Sequence, residues 1–212
     1  MNIVEAYLKF KGQYIILVSG LPGSGKTEIA LILARELKFK YIPLTKFIKK
    51  EDYETVTNYK NVDYDKFNDF VNENKKVGIV CSGLIFERSK IKFIPDYVIN
   101  FKSSKQLWFN KLAKKFGVET PVSKDLIPSP QEKSEDEKTE EDEKQKLAEE
   151  KLAEVKRKIN AEIFPYYLEH IRTLKPTKFV EVTIFNEALI AQDVWKSLMH
   201  FTEEELKKIS PQ

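Results

Sequence analysis

The residues best suited to chemistry form one short run, Gly20-Leu-Pro-Gly-Ser-Gly-Lys26-Thr27, which fits the pattern G-x-x-x-x-G-K-[ST]. Glycines at this spacing let successive backbone N–H groups point inward at phosphate oxygens, and a following helix adds its positive dipole end. The lysine of this pattern bridges the β- and γ-phosphates, and the next hydroxyl ligates Mg²⁺. The run therefore predicts a nucleoside triphosphate site, for ATP with Mg²⁺.

The residues expected to contact the nucleotide are those of the run and the one that follows it. They are Gly20, Leu21, Pro22, Gly23, Ser24, Gly25, Lys26, Thr27 and Glu28. Thr27 is also the expected metal ligand, and Lys26 the expected catalytic cation. No N/T-K-x-D guanine signature occurs downstream, which favours ATP over GTP.

The sequence predicts a strand before this run and a helix after it, which is the context that a phosphate-binding loop requires. A β-branched apolar run at 14–19 predicts a buried strand, and apolar residues at helical spacing follow over 27–37. Further strands are predicted at 41–44, 77–81, 96–101 and 179–183, and further helices at 63–74, after Ser103 or Ser104, and at 186–200. A last helix is predicted from Thr202, whose hydroxyl would form a capping box with Glu205. Strands that alternate with helices are typical of an α/β fold with a parallel sheet.

The segment 118–144 interrupts this pattern. It contains prolines followed by a Lys/Glu/Ser tract without apolar periodicity, which predicts a charged, flexible insertion. Residues 131–150 hold ten acidic residues and four lysines, so the rest of the chain is positive and suits an anionic substrate. The acidic tract is interpreted as a docking site for a basic partner or, preferably, as a solvated linker. From about Gln145 onward, apolar residues again occur three or four apart, which predicts a long helix with one apolar stripe.

Length and composition set the remaining expectations. The 212 residues suffice for one α/β domain with an insertion, and the single cysteine, Cys81, excludes an internal disulfide. No apolar stretch approaches the roughly 20 residues that span a bilayer, and the first ten residues lack the apolar core of a signal peptide. We therefore expect a cytoplasmic protein that does not enter a membrane.

Several segments occur in the order found in uridine kinases, which belong to the P-loop nucleoside and nucleotide kinases. The matching segments are 20–27, Thr45-Lys-Phe-Ile-Lys49, Asp63-Tyr-Asp-Lys-Phe67, Val80-Cys-Ser-Gly83 and Phe164-Pro with Leu174-Lys-Pro176. Over about residues 14–185 the chain resembles a degenerate uridine kinase, although only the first segment is a specific motif. The resemblance implies one three-layer P-loop domain over 1–212, with about five parallel strands, helices on both faces, and a lid that contains 118–144.

The resemblance also implies a phosphotransferase that moves the γ-phosphoryl of ATP to a small nucleoside or nucleotide. Family members place an aspartate after strand two and an acidic residue before the glycine that ends strand three. This chain has Thr45 or Lys46 and Ser82 at those positions. Asp63 and Asp65 are the candidates for a replacement base or substrate orienter, and capping of the adjacent helix is the alternative for both.

Cations of the lid are expected to neutralise charge during transfer, and Lys111, Lys115 and Arg157 flank the insertion. Two other interpretations remain open. The missing acids favour a catalytically degenerate ATP-binding module, a switch or scaffold. A polynucleotide 5′-kinase would need a basic groove with exposed aromatic residues. Because the insertion is acidic, we expect a small-molecule partner in preference to nucleic acid, which is not excluded.

Overall fold

The computed structural model describes residues 3–48, 61–74, 76–118, 135–182 and 186–209, with the backbone alone at 115 and 135–143. The strands are β1 (Tyr14–Gly20), β2 (Lys40–Pro43), β3 (Gly78–Gly83), β4 (Tyr97–Ser103) and β5 (Lys178–Val182). The helices are α1 (Ile3–Lys11), α2 (Lys26–Leu37), α3 (Tyr64–Glu73), α4 (Lys105–Lys115), α5 (Glu135–Lys158), α6 (Phe164–His170) and α7 (Glu187–Ile209). A 3₁₀ turn, Leu44–Phe47, follows β2, and a π-helical turn, Ile159–Ile163, joins α5 to α6.

The five strands form one sheet in the order β2-β3-β1-β4-β5, and every neighbouring pair is parallel. β1 lies at the centre and all of its residues are buried, as its β-branched apolar run predicts. Val18 of β1 is in register with Ser82 of β3 and Ile99 of β4. This topology confirms the predicted α/β fold with a five-stranded parallel sheet, and it brings the carboxyl ends of β1, β2 and β3 to one edge.

Alternate residues of β1 serve two cores. Tyr14, Ile16 and Val18 pack with residues of α1, α2 and α7 on one face of the sheet. Ile15 and Leu17 pack with residues of α3 on the other face. A third cluster joins α4 to α5, the π-helical turn and α6. None of the described helices combines the length and the apolar character that a bilayer span requires.

The C-terminal region differs from the sequence-based prediction. Residues Glu187–Ile209 form one continuous helix, so the predicted helix start and capping box at Thr202 are wrong. Thr202 is buried in the middle of α7, where its hydroxyl donates to the Leu198 carbonyl (2.8 Å) and lies 2.9 Å from the Tyr14 hydroxyl. A threonine followed three residues later by glutamate also occurs inside a helix, where the hydroxyl bonds back to the preceding turn. The sequence pattern alone therefore does not distinguish a cap from a threonine within a helix.

The helix α5 begins at Glu135, earlier than the apolar periodicity near Gln145 indicates. Lys, Glu and Gln have high helix propensity, so this polar tract continues the helix without an apolar face. Residues 135–144 of the predicted insertion are therefore helical. Residues 119–134 lie outside the described residues, and the flexibility of 118–144 as a lid segment stays a prediction.

Asp96 anchors α1 to the sheet, and its removal should destabilise the fold. The carboxylate is 2% exposed, accepts hydrogen bonds from the Ile15 N–H (2.8 Å) and the Tyr7 hydroxyl (3.2 Å), and pairs with Lys11. Asp96→Ala leaves these donors without their partner, so we expect urea titration to report a loss of about 3 kcal/mol in the free energy of unfolding.

Asp65→Ala is the control for this variant. Its carboxylate is 81% exposed and pairs with Lys92 (2.7 Å) at the surface, where solvent screens the pair. We expect no resolvable change in the free energy of unfolding. Comparable losses in the two variants would contradict the anchoring role of Asp96.

Candidate functional site

The loop between β1 and α2 owes its shape to glycines with positive φ. Gly23 has φ 90° and Gly25 has φ 80°, and Gly25 is the N-cap residue of α2 in the left-handed conformation. The Ser24 N–H donates back to the Leu21 carbonyl at 3.2 Å, which closes a tight turn. The loop therefore lies directly ahead of the α2 N-terminus, where the first-turn N–H groups lack intrahelical partners and favour an anion.

Gly20 holds the start of this loop against the sheet. A Cβ at this position would lie 2.7 Å from the Cβ and 2.8 Å from the carbonyl oxygen of Phe101, on the neighbouring strand β4. Because the Phe101 carbonyl oxygen is a backbone atom of β4, a Cβ on Gly20 could be accommodated only by distortion of the sheet. The Gly20 N–H also donates to the Leu84 carbonyl at 3.2 Å, which ties the loop to the end of β3.

Ser24 has an unsatisfied polar atom at the centre of the loop. The residue is buried, and its Oγ has no hydrogen-bond partner among the described residues. A buried hydroxyl without a partner costs free energy, which a bound ligand or water recovers. This atom, with the positive-φ glycines, fits a loop that is completed by an anion.

Lys26 is the cation of the loop. Its Nζ lies 3.4 Å from the Leu21 carbonyl and makes no ion pair within the described part of the chain. The pKa of Lys26 is lowered to about 8, chiefly by burial; the negative charge of Glu28 opposes this shift, and the positive charge of Lys111 adds to it. An ammonium group in this state gains a partner when a phosphate enters.

The loop opens onto a cleft of about 380 Å³. Its described lining is Pro22, Gly23, Gly25, Lys26, Thr27, Glu28, Tyr41, Pro43, Thr45, Ser82, Gly83, Leu84 and Lys111. Six of the nine predicted nucleotide contacts are in this lining, whereas Gly20, Leu21 and Ser24 are beneath it. The cleft lies at the edge of the sheet where β1, β2 and β3 end, which is the usual ligand position in open α/β sheets.

The predicted lid cations are placed differently from one another. Lys111 lines the cleft, and its Cδ lies 3.4 Å from the position that a Cβ on Gly23 would take. Arg157 is exposed on α5 and is not among the cleft-lining residues. The side chain of Lys115 lies outside the described part of the structure, so its role remains a prediction.

Asp63 and Asp65 are outside the described cleft lining. Asp63 is the N-cap of α3: its carboxylate accepts the Lys66 N–H (3.1 Å) and pairs with the Lys66 ammonium (3.1 Å). Asp65 makes the surface ion pair with Lys92 described above. This geometry matches the capping alternative for Asp63, and the contacts given above for the two carboxylates are all with residues outside the loop.

Hydroxyl groups occupy the part of the cleft where the resemblance implies carboxylates. Ser82, at the end of β3, is 4% exposed, and its Oγ lies 2.7 Å from the hydroxyl of Tyr41 on β2. Thr45 lines the same cleft. Tyr41 was not among the predicted site residues, although the strand period of two places Tyr41 and Pro43 on one side of β2.

A buried carboxylate near the site was also missed. Glu87, in the loop after β3, accepts hydrogen bonds from the Tyr166 hydroxyl (2.5 Å) and the Lys90 ammonium (2.9 Å). Its other oxygen lies 3.6 Å from Nε2 of His170, and its N–H donates to the Tyr64 hydroxyl (3.0 Å). Burial, and then Glu87, raise the pKa of Tyr166 above its usual range. This cluster fastens α6 to the loop after β3.

Comparisons with known proteins support the fold. Among solved structures the chain is similar to a gluconokinase from Sinorhizobium meliloti 1021, with a TM-score of 0.52, 12% identity, and coverage of 93% of this chain and 97% of that one. A sugar kinase from Janibacter sp. HTCC2649 gives a TM-score of 0.45, 13% identity, and coverage of 88% and 94%. No family model and no curated protein matches the sequence. The first likeness shows that the chain shares the fold of that gluconokinase, and it gives no particular support to a uridine kinase.

Gly20→Ala tests the close contact between the loop and β4. The added methyl group meets the Phe101 backbone, so we expect a loss of at least about 2 kcal/mol in the free energy of unfolding, measured by urea titration. Gly117→Ala is the control, because Gly117 has φ 71° and no atom of the described residues lies within 4 Å of the added atom. Its expected cost is the conformational strain alone, about 1 kcal/mol. A larger loss at Gly117 would refute the packing argument.

Proposed function

We propose that this protein is an ATP-dependent phosphotransferase that moves the γ-phosphoryl group of ATP to a hydroxyl of a small molecule. The observation that carries the proposal is the Lys26 ammonium, which lies beside a glycine-shaped loop without an ion-pair partner in the described chain and faces a 380 Å³ cleft. Transfer of a phosphoryl group demands mainly positioning and charge neutralisation, which this arrangement supplies.

The proposed nucleotide contacts follow from the loop. The N–H groups of the loop and of the first turn of α2 would hold the phosphates, with Lys26 on the β- and γ-phosphates. The Thr27 hydroxyl, exposed at the start of α2, would ligate Mg²⁺. The metal ion, when bound, neutralises charge on the phosphate oxygens. Lys111 supplies a second positive charge at the cleft.

The acceptor is proposed to carry an uncharged, partly apolar group. A small pocket adjoins the cleft and shares Thr45, Gly83 and Leu84 with it; the rest of its described lining is Leu44, Ile48, Val62 and Ile85. At about 10 Å³ this pocket is too small to hold an acceptor, but its aliphatic side chains and one hydroxyl form a neutral border of the cleft, which suits an uncharged group better than a carboxylate. The gluconokinase likeness nevertheless adds sugars and sugar acids to the acceptors that need testing.

A second candidate is an ATP-binding module without transfer. Two observations favour it. Glu28 is the one carboxylate in the described lining of the cleft. In addition, the described residues contain no group of three His, Cys, Asp or Glu side chains that could hold a metal ion. A polynucleotide 5′-kinase is less well supported, because Tyr41 is the one aromatic residue in that lining.

The discriminating experiment incubates the protein with γ-labelled ATP and Mg²⁺ against nucleosides, nucleoside monophosphates, sugars, sugar acids and 5′-hydroxyl oligonucleotides. Label on one class identifies the acceptor. Tight ATP binding without label on any of them would favour the binding module, and label in free phosphate alone would identify a slow ATPase.

Lys26→Ala should abolish any transfer, because it removes the cation that stabilises charge on the migrating phosphoryl group. We expect the rate of label transfer to fall roughly a thousandfold. Lys9→Ala, at an exposed position on α1, is the control and should leave the rate unchanged. Transfer that survives in Lys26→Ala would place the chemistry elsewhere.

The lowered pKa of Lys26 predicts a pH dependence of nucleotide binding. Below pH 8 the ammonium is largely charged; above pH 8 the unliganded protein loses this proton, while bound phosphates raise the pKa and hold it. Binding must therefore take up a proton above pH 8, and the affinity for ATP should fall by up to about tenfold per pH unit. Calorimetry of the β,γ-imido analogue of ATP at pH 8 and 9.5, in buffers of different ionisation enthalpy, measures both effects.

Lys26→Arg provides the control for this titration, because a guanidinium stays charged throughout the range. Its affinity should be independent of pH over the same interval. An equal fall in both proteins would mean that another group titrates.

A further inference from the structure

The Tyr41–Ser82 hydroxyl pair is a feature of the cleft to which the proposed function has given no role. Tyr41 comes from the edge strand β2 and Ser82 from β3, and their oxygens are 2.7 Å apart. Both residues line the cleft that Lys26 and Thr27 also line. The two hydroxyls make no other hydrogen bond with the described residues. Their remaining capacity for hydrogen bonds is therefore available to a molecule bound in the cleft.

The number of hydrogen atoms in the pair fixes what it can offer. Two hydroxyls carry two hydrogens, and one of them lies between the oxygens. If Ser82 donates to Tyr41, the phenol hydrogen is left over; if Tyr41 donates to Ser82, the serine hydrogen is left over. Ser82 is only 4% exposed, whereas Tyr41 is half-buried, so the phenol has the better access to a ligand. The pair therefore presents one neutral donor to the cleft.

The position of the pair indicates which ligand atom it meets. In the sheet order β2-β3-β1-β4, the pair belongs to the strands on the β3 side of β1, whereas Lys111 belongs to the helix that follows β4 and lies against Gly23 of the loop. A triphosphate held by the loop extends past Lys26 with its terminal phosphoryl group in the open cleft. Phosphate oxygens are acceptors without hydrogens at neutral pH, and they require donors.

We propose that Tyr41, oriented by Ser82, donates a hydrogen bond to the γ-phosphate of bound ATP and so distinguishes ATP from ADP. The inference rests on the proposed function, because it requires a triphosphate in the loop. It assigns Tyr41 as a ligand-contacting residue and Ser82 as a positioning residue that restrains the phenol.

The test compares Tyr41→Phe with the wild type by calorimetry at pH 7.5, using the β,γ-imido analogue of ATP and, separately, ADP. The substitution keeps the ring and removes one hydroxyl. We expect the affinity for the triphosphate analogue to fall about tenfold and that for ADP to change less than twofold. Ser82→Ala should weaken triphosphate binding about threefold, because the phenol remains but loses its restraint.

Tyr97→Phe is a matched control. The Tyr97 hydroxyl donates to Oγ of Ser197 at the same distance, 2.7 Å, but this pair joins β4 to α7, away from the cleft. This variant should bind both nucleotides as the wild type does. Urea titration of all three variants establishes that each is folded under the conditions of the binding measurement.

The outcomes separate this inference from the proposed function. If the wild type binds no nucleotide, the proposed function fails first. Suppose instead that the wild type binds ATP, that Lys26→Ala does not, and that Tyr41→Phe lowers the affinities for ATP and ADP equally or changes neither. The γ-phosphate contact is then refuted, while the assignment of the loop stands. A change confined to the KM of the acceptor would also overturn the proposal, because it would place the phenol on the acceptor.

Discussion

The Lys26 ammonium, which makes no ion pair with the described residues and lies beside a glycine loop, is the constraint on which the rest of the site depends. Lys26 is held by its place in the first turn of α2, and the described chain gives it one distant carbonyl contact at 3.4 Å. Burial penalises its charge, which is why its pKa falls. The folded protein therefore retains an electrostatic cost at this point, which a bound anion would reduce.

The sheet explains how such a site is held open. Gly20 is pressed against Phe101 of β4, and its N–H is bonded to the Leu84 carbonyl after β3, so the loop is fixed from both neighbouring strands. β1 is buried throughout its length between them. Placement of the backbone N–H groups of the loop thus depends on the parallel strands on both sides of β1.

The sequence predicted those features that depend on local pattern. The loop, the central strand and the Asp63 cap follow from glycine spacing, apolar run length and capping chemistry, and the structure contains all three. Thr202 was mistaken for a cap because its hydroxyl bonds to Tyr14 across the core, a contact between residues far apart in sequence. Pairing of Tyr41 with Ser82 depends on the order of β2 and β3 in the sheet, which strand patterns alone do not specify.

A neutral hydroxyl pair in place of a carboxylate changes the electrostatic balance of the cleft. A carboxylate in contact with Lys26 would compensate the ammonium more fully than Glu28 does, and part of the binding free energy of an anion would then be spent on displacing that pair. Hydroxyls do not compensate the charge of Lys26, so an anion gains more electrostatic free energy when it binds. They are, however, weaker ligands for a metal ion and weaker bases than a carboxylate. The site is accordingly better built to bind a triphosphate than to activate an acceptor hydroxyl, and any transfer must derive its rate from positioning and from the charges of Lys26 and Lys111.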